Sequence, residues 1–131
     1  MSSPEIEVPI EVMFFDTDVG GVVHNIAYLR MIEVARTKIA GRLGFNLREM
    51  AETQVYPVVV RTEIDYLKPA RLGDTILVRG KVTEAKRARF WCEFELVSTS
   101  DGARFVSCRQ SLALVQMPEG KVLRLPDGFG A

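Results

Sequence analysis

One long amphipathic stretch interrupts a chain that otherwise alternates, and it limits the possible folds more than any other feature. From His24 to Leu43, Tyr28, Ile32, Ala35, Ile39 and Leu43 recur at spacings of three and four, with Met31 beside them. Arg30, Glu33, Arg36 and Thr37 take the other side. An apolar stripe at that period predicts a helix with one buried face, roughly 30 Å long. Gly44 supplies its stop. Asn46-Leu47-Arg48-Glu49 resembles a capping box and predicts a short second helix.

The rest supplies the sheet. From Ile6 to Phe15, Ile6, Val8, Ile10 and Val12 alternate with Glu7, Pro9 and Glu11, which predicts a half-buried strand. Pro9 sends it to an edge or a bulge. After Gln54 every segment has strand period. Val58, Val60, Ile64 and Tyr66 fall on one face, opposite Arg61, Glu63 and Asp65. Pro69 to Asp74 is a turn. Thr75–Thr83, Arg89–Val97 and Ala103–Val115 alternate in the same way, and Glu119–Pro126 is a turn followed by a short extended piece. Core residues of the last two long strands carry even numbers, so directly paired residues must have an even sum. A three-residue loop Ser100-Asp101-Gly102, with Gly102 left-handed, meets that condition. It sets Phe94 opposite Cys108 and Cys92 opposite Gln110, with the two cysteines diagonal. Consecutive strands joined by tight turns pair antiparallel. The expectation is one α+β domain over 1–131, about five strands on one long helix.

Composition then removes functions. Seventeen Lys and Arg balance seventeen Asp and Glu over 131 residues, which argues against nucleic acid as a partner. One histidine and two cysteines are too few for a disulfide scaffold or a four-ligand zinc site, so no metal is expected. A Ser-His-Asp triad would have to use His24. No apolar run reaches membrane-spanning length and the start has no signal-peptide character, so the expectation is a cytoplasmic chain with reduced thiols and no membrane insertion.

The unusual stretch is Asp16-Thr17-Asp18-Val19-Gly20-Gly21-Val22-Val23-His24-Asn25-Ile26-Ala27-Tyr28. Two carboxylates sit in a glycine-bearing loop at the mouth of the long helix. Free N–H groups at a helix start stabilise a carboxylate, and also an oxyanion forming on a substrate carbonyl. A carboxylate held ionised suits a nucleophile or a water-orienting base. The same two acids can also do no more than cap the helix or satisfy loop amides.

Asp16-x-Asp18-x-x-Gly21-x-Val23, then Asn25-x-x-Tyr28 and Glu33-x-Ala35-Arg36, resembles the signature of hotdog-fold acyl-CoA thioesterases of the 4-hydroxybenzoyl-CoA thioesterase type. It is most similar to the bacterial subgroup associated with the Tol–Pal system. Asp65-Tyr66-x-x-Pro69-Ala70-x-x-Gly73-Asp74 and the Gly120–Pro126 tail resemble that family too. The resemblance implies a curled antiparallel sheet around one helix. It implies a homodimer or homotetramer with the site between protomers, an acyl-CoA substrate and no cofactor. Asp18 takes the catalytic position, and Asp16 is a neighbour that shapes the loop. The N–H near Asn25 polarises the thioester carbonyl, and Gly21 allows close backbone approach. Val22 belongs to the same substrate-binding loop. An apolar slot for the acyl group is bounded partly by Tyr28 and by Val58, Val59 and Val60.

That subgroup usually has Tyr-His where this chain has His24-Asn25. The histidine therefore sits one residue back, about 100° around a helix. Asn25 is a candidate to hydrogen-bond the carbonyl or order Asp18. His24 is either a cap or a catalytic side chain. Lys86, Arg87 and Arg89 form a basic turn that is either a solvated hairpin or a site for coenzyme A phosphates. Two rivals follow from the same residues. One is an enoyl-thioester hydratase or dehydratase using His24 and Glu33, and the other is an acyl-thioester binder without turnover.

Overall fold

The computed structural model describes residues 4–129. Its elements run β1 (Glu5–Glu11), α1 (Asn25–Arg42), α2 (Leu47–Thr53), β2 (Val55–Tyr66), β3 (Thr75–Lys86), β4 (Arg89–Ser98), β5 (Arg104–Gln116) and β6 (Lys121–Leu123). The strands form one antiparallel sheet in the order β1-β3-β4-β5-β2, and short β6 pairs the end of β5. Met31, Ile32, Ala35 and Ile39 of α1 are fully buried, as are Ile76, Val78, Phe94, Leu96 and Val106 of the sheet. This is the α+β hotdog arrangement, with six strands where about five were expected.

The helix ends where its chemistry directs. His24 is the N-cap, with Nδ1 accepting the Ala27 N–H at 3.1 Å. Gly44 adopts φ +94°, the Phe45 N–H reaches the Ala40 carbonyl at 2.8 Å, and the Gly44 N–H reaches Gly41 at 3.3 Å, closing a Schellman motif. Asn46 caps α2 through the Glu49 N–H at 2.9 Å. Gly80 was not singled out by its sequence context, yet it sets how closely helix and sheet approach. A Cβ there would stand 2.8 Å from the Phe94 ring and 3.1 Å from Ile39.

Four expectations need correction. The first strand stops at Glu11 rather than Phe15, and Phe14–Asp16 is a single 3-10 turn. Met13 and Asp16 bond to each other there. The Asp16 N–H donates to the Met13 carbonyl at 2.9 Å, and the Asp16 carboxylate accepts the Met13 N–H at 3.0 Å. In β2 the register shifts between Val59 and Arg61, so Val60 is an extra residue. The bulge reverses the alternation. Val55 and Val59 pack on the core before it and Ile64 after it, while Val58 and Val60 stay exposed. Val58 and Val60 therefore do not share a face with Ile64.

The β4–β5 ladder has the expected even register, with Phe94 opposite Cys108 and Cys92 opposite Gln110. Near the turn it does not. Val97 pairs Arg104, Ser98 meets Ala103, and the loop is the four residues Thr99–Gly102. A bulge at Phe105 restores parity, which explains why Phe105 and Val106 are both buried. Gly102 is left-handed, at φ +73°. Lastly, β3 runs on to Lys86 past a shift between Val82 and Glu84.

Candidate active site

The Asp16–Tyr28 stretch is anchored at three places. Val23 donates to the Ala70 carbonyl at 2.8 Å, and Val22 forms a bridge with Arg71. The Tyr28 hydroxyl accepts the Ala70 N–H at 2.9 Å. Burial pushes the Tyr28 phenol above its usual value, against the lowering effect of that N–H. Tyr28 is thus a neutral, buried strut between α1 and the turn before β3.

The two acids of the motif have separate situations. Asp16 is 1% exposed. One carboxylate oxygen holds the Met13 N–H and the other takes the Arg30 guanidinium at 2.7 Å, while its carbonyl accepts the His24 N–H at 3.0 Å. It ties the end of β1, the loop and the helix start together. Asp18 is exposed. Its Oδ1 accepts the Gly20 N–H at 2.8 Å and its own N–H donates to Val22 at 2.9 Å. Among the described residues, Oδ2 has no protein partner.

Asp18 opens onto a groove of about 550 Å³ lined by Val22, Val23, His24, Asn25, Ile26 and Tyr28 on one side and Tyr66–Pro69 on the other. The amides of Asn25 and Ile26 lie at the first turn of α1, where no intrahelical acceptor exists. Among the described residues they have no other acceptor. The groove therefore combines a carboxylate with one uncommitted oxygen, two free backbone donors and an apolar wall. That set can place a nucleophile or an oriented water beside a polarised carbonyl.

The other expected residues are distributed as follows. His24 has both ring nitrogens engaged, Nδ1 with Ala27 and Nε2 facing the Phe15 carbonyl at 3.4 Å. Glu33 lies nine residues along α1, roughly 13 Å from His24. It pairs with Arg36 at 3.5 Å and borders a different cavity. The chain does not bring His24 and Glu33 together. Gly21 is left-handed at φ +74°, and nothing lies within 4 Å of where a Cβ would be. Its backbone angle, rather than close approach by this chain, is what requires glycine. Val58, Val59 and Val60 lie on β2, an edge strand of the sheet, and do not line the Asp18 groove. Lys86 and Arg89 pair across a two-residue turn containing Arg87. That hairpin lies at the far end of β3, one strand length of roughly 35 Å from the turn that carries Ala70.

Sequence reasoning missed Arg30, which it placed on the solvent side of α1. The signal was available, since a buried acid needs a cation and Arg30 lies near the helix start. It also missed Leu67 and Lys68 as groove residues, although the Asp65–Asp74 motif had marked their turn.

A family model described as the thioesterase-like superfamily matches residues 12–131. The chain belongs to this superfamily. It is 39% identical over 90 residues to a Haemophilus influenzae protein named acyl-CoA thioesterase YbgC, across 68% of this chain and 66% of that protein. The match thus spans just under two thirds of the relative. A Synechocystis protein named 1,4-dihydroxy-2-naphthoyl-CoA hydrolase is 26% identical over 118 residues, 89% of this chain and 86% of that one. The crystal structure of Slr0204, a 1,4-dihydroxy-2-naphthoyl-CoA thioesterase from Synechocystis, superposes with a TM-score of 0.84 at 25% identity, covering 94% of this chain and 90% of that one.

Proposed function

We propose that this protein hydrolyses an acyl-CoA to the free acid and coenzyme A, with Asp18 as the catalytic carboxylate. The observation that carries this reading is the position of Asp18, in a groove that also holds the helix start with its free Asn25 and Ile26 amides. Membership of a thioesterase superfamily supplies the reaction class. In the proposed step the thioester carbonyl oxygen lies against those amides. Asp18 Oδ2 then attacks the carbonyl carbon to give a mixed anhydride, which water hydrolyses to the free acid and the Asp18 carboxylate, or it takes a proton from a water that attacks the carbonyl directly. Coenzyme A leaves as the thiolate and is protonated. The first-turn donors stabilise the tetrahedral oxyanion, a contribution of ~3–4 kcal/mol for one well-placed donor. Asn25 borders the same carbonyl, and Val22 and Tyr28 shape the wall. His24 holds the helix start in place.

The groove is open along one side and bordered by exposed Ile26 and Leu67. Among the described residues, the outer edge of β2 has no strand beside it, and it carries exposed Val58 and Val60. A second copy applied along that edge would cover both, so we place the complete site between protomers of a homodimer or homotetramer. Val58–Val60 then bound the acyl slot. Lys86, Arg87 and Arg89 would serve the nucleotide of a neighbouring protomer's substrate. No described helix is long and apolar enough to cross a membrane, and we place the enzyme in the cytoplasm.

The test is a hydrolysis panel over aliphatic chain lengths and aromatic acyl-CoAs, run with the parent and with Asp18→Asn. The parent should release free thiol from at least one member, and Asp18→Asn should lose several orders of magnitude in kcat. Near-normal turnover by Asp18→Asn would end the assignment. Tight acyl-CoA binding with no thiol release by the parent would favour the binding-protein rival. Hydration of an enoyl-CoA with its thioester intact would favour the hydratase.

A further inference from the structure

The amides at the start of α1 lie before the first i→i+4 bond, so each needs an acceptor from elsewhere. His24 settles two of them. Its own N–H donates to the Asp16 carbonyl at 3.0 Å. The Ala27 N–H is shared between the His24 carbonyl at 3.0 Å and the ring Nδ1 at 3.1 Å. Asn25 and Ile26 are left with free amides. The other ring nitrogen, Nε2, lies 3.4 Å from the Phe15 carbonyl, beside Asp16 and three residues before Asp18. One half-buried imidazole thus reaches from the helix start to the loop that carries both acids.

These partners dictate how the ring is protonated. An amide N–H only donates, so Nδ1 must keep its lone pair. A carbonyl only accepts, so the proton belongs on Nε2. The neutral Nε2–H form alone serves both ends. A second proton would set N–H against N–H at Ala27 and place a positive charge on the positive end of the helix. The contact with Phe15 would survive it. The charged and titratable groups around the ring are few. Asp16 already holds Arg30 at 2.7 Å. Asp18, Lys68, Tyr28 and Tyr66 line the groove with His24, and Arg71 lies on the neighbouring Val22 bridge. Among the described residues none of them bonds to the ring, so none replaces the Ala27 contact when the ring gains a proton.

We propose that His24 is a positioning residue whose neutral ring clamps the Asn25 and Ile26 donors to the Asp18 loop, and whose protonation releases the helix start and lowers turnover. The link to rate rests on the thioesterase reading, whereas the clamp rests on the ring contacts alone. Histidine ordinarily changes charge between about pH 5 and pH 8, and this chain has only one.

That single histidine makes the test direct. Tag-free, 15N-labelled protein is followed by NMR from about pH 8 down to about pH 5. At the upper end the ring should be the Nε2–H tautomer. The Asn25, Ile26 and Ala27 amide signals should then move with the ring's own midpoint, and the Arg87 amide at the far end of β3 should not. In the kinetic arm, kcat rather than KM should fall on that same midpoint. The fall should be roughly 2- to 30-fold, the range a lost N-cap commands. His24→Asn keeps a capping side chain that does not titrate here, so it should lose this acid limb whatever its absolute rate. His24→Ala should sit near the parent's acid plateau at every pH. If it fails a circular-dichroism check for folding, His24→Asn decides alone. An Nδ1–H tautomer, amides that ignore the ring's midpoint, or the same limb in His24→Asn overturns the proposal. So does a kcat that rises as the ring gains its proton, which would make the imidazolium an electrostatic aid. If the parent turns over no acyl-CoA, the thioesterase reading fails, and the NMR arm still decides the clamp.

Discussion

Replacing Asp16 with asparagine should cost the fold much more than the same change at Asp18, although the residues are two apart. The Asp16 carboxylate is buried and has two occupied oxygens, one on the Met13 N–H at 3.0 Å and one on Arg30 at 2.7 Å. An amide of the same shape can accept from only one of them, so its NH2 must face the other donor. A hydrogen bond to a charged group contributes ~1.5–3 kcal/mol. Breaking a fully buried ion pair costs ~3–5 kcal/mol, but that figure must be reduced here, because Arg30 is 45% exposed and water can reach it. About 2–3 kcal/mol remains, or roughly 8–12 °C in melting temperature for a domain of this length. Asp18 has one side-chain bond in an exposed loop, so Asp18→Asn should cost less than about 1 kcal/mol. Thermal melts followed by far-ultraviolet circular dichroism measure both. Arg30→Met should reproduce the Asp16→Asn loss, and the double variant should cost little more than either single one. If Asp16→Asn melts within about 2 °C of the parent, or if Asp18→Asn is the less stable of the two, the division of roles between the acids is wrong.

Other substitutions test the packing and the titrations. Gly80→Ala pushes a methyl into the Phe94 ring and Ile39, so urea unfolding should show a loss of ~1–3 kcal/mol, partly recovered in Gly80→Ala/Phe94→Leu. No loss would mean the helix can lift off the sheet freely. Arg87 holds φ +56° in the β3–β4 turn, where glycine is favoured, so Arg87→Gly should raise stability by ~0.5–1 kcal/mol. If Arg87 also binds phosphate, KM for the acyl-CoA should rise in that same, more stable variant. Burial pushes the thiols of Cys92 and Cys108 up to about 12 and about 11. Unfolded thiols ionise at lower pH, so their contribution is complete below about pH 8.5 and is lost as pH rises toward the folded values. The urea midpoint should therefore fall between about pH 8 and about pH 10, and Cys92→Ala should flatten that slope. An unchanged slope would contradict the burial argument.

The helix was legible because both its period and its caps are local. His24, Gly44 and Asn46 act within four residues of where they stand, and the chemistry that places them is written in adjacent positions. The strands were legible as strands for the same reason, but their faces were not. Parity carries the pattern only as long as no residue is inserted. Val60 and Phe105 are such insertions, and each reverses every inward and outward assignment beyond it. Nothing in Val58-Val59-Val60 marks Val60 as the bulge, since all three are equally suited to a strand. The β4–β5 hairpin shows the limit sharply. Parity required an even register in the body of the ladder, and the body has it. The same argument could not say whether the odd residue sits in the loop or as a bulge at Phe105.

The site divides along the same line. Asp18 and the helix start are neighbours in sequence, so a carboxylate beside free amides could be read from the motif alone. Arg30 meets Asp16 only because the chain leaves β1, makes one 3-10 turn and enters α1 at a fixed angle. That angle is set by Val23 on Ala70 and by the Tyr28 hydroxyl on the Ala70 amide. Two acids in one motif are equivalent in composition, and only folding makes them different. Asp16 uses its charge within the protein, on a backbone amide and a guanidinium, and has none left for a substrate. Asp18 keeps an oxygen free in the groove because Asp16 already holds the loop. A motif with a single acid would have to position its loop and carry out its chemistry with the same carboxylate.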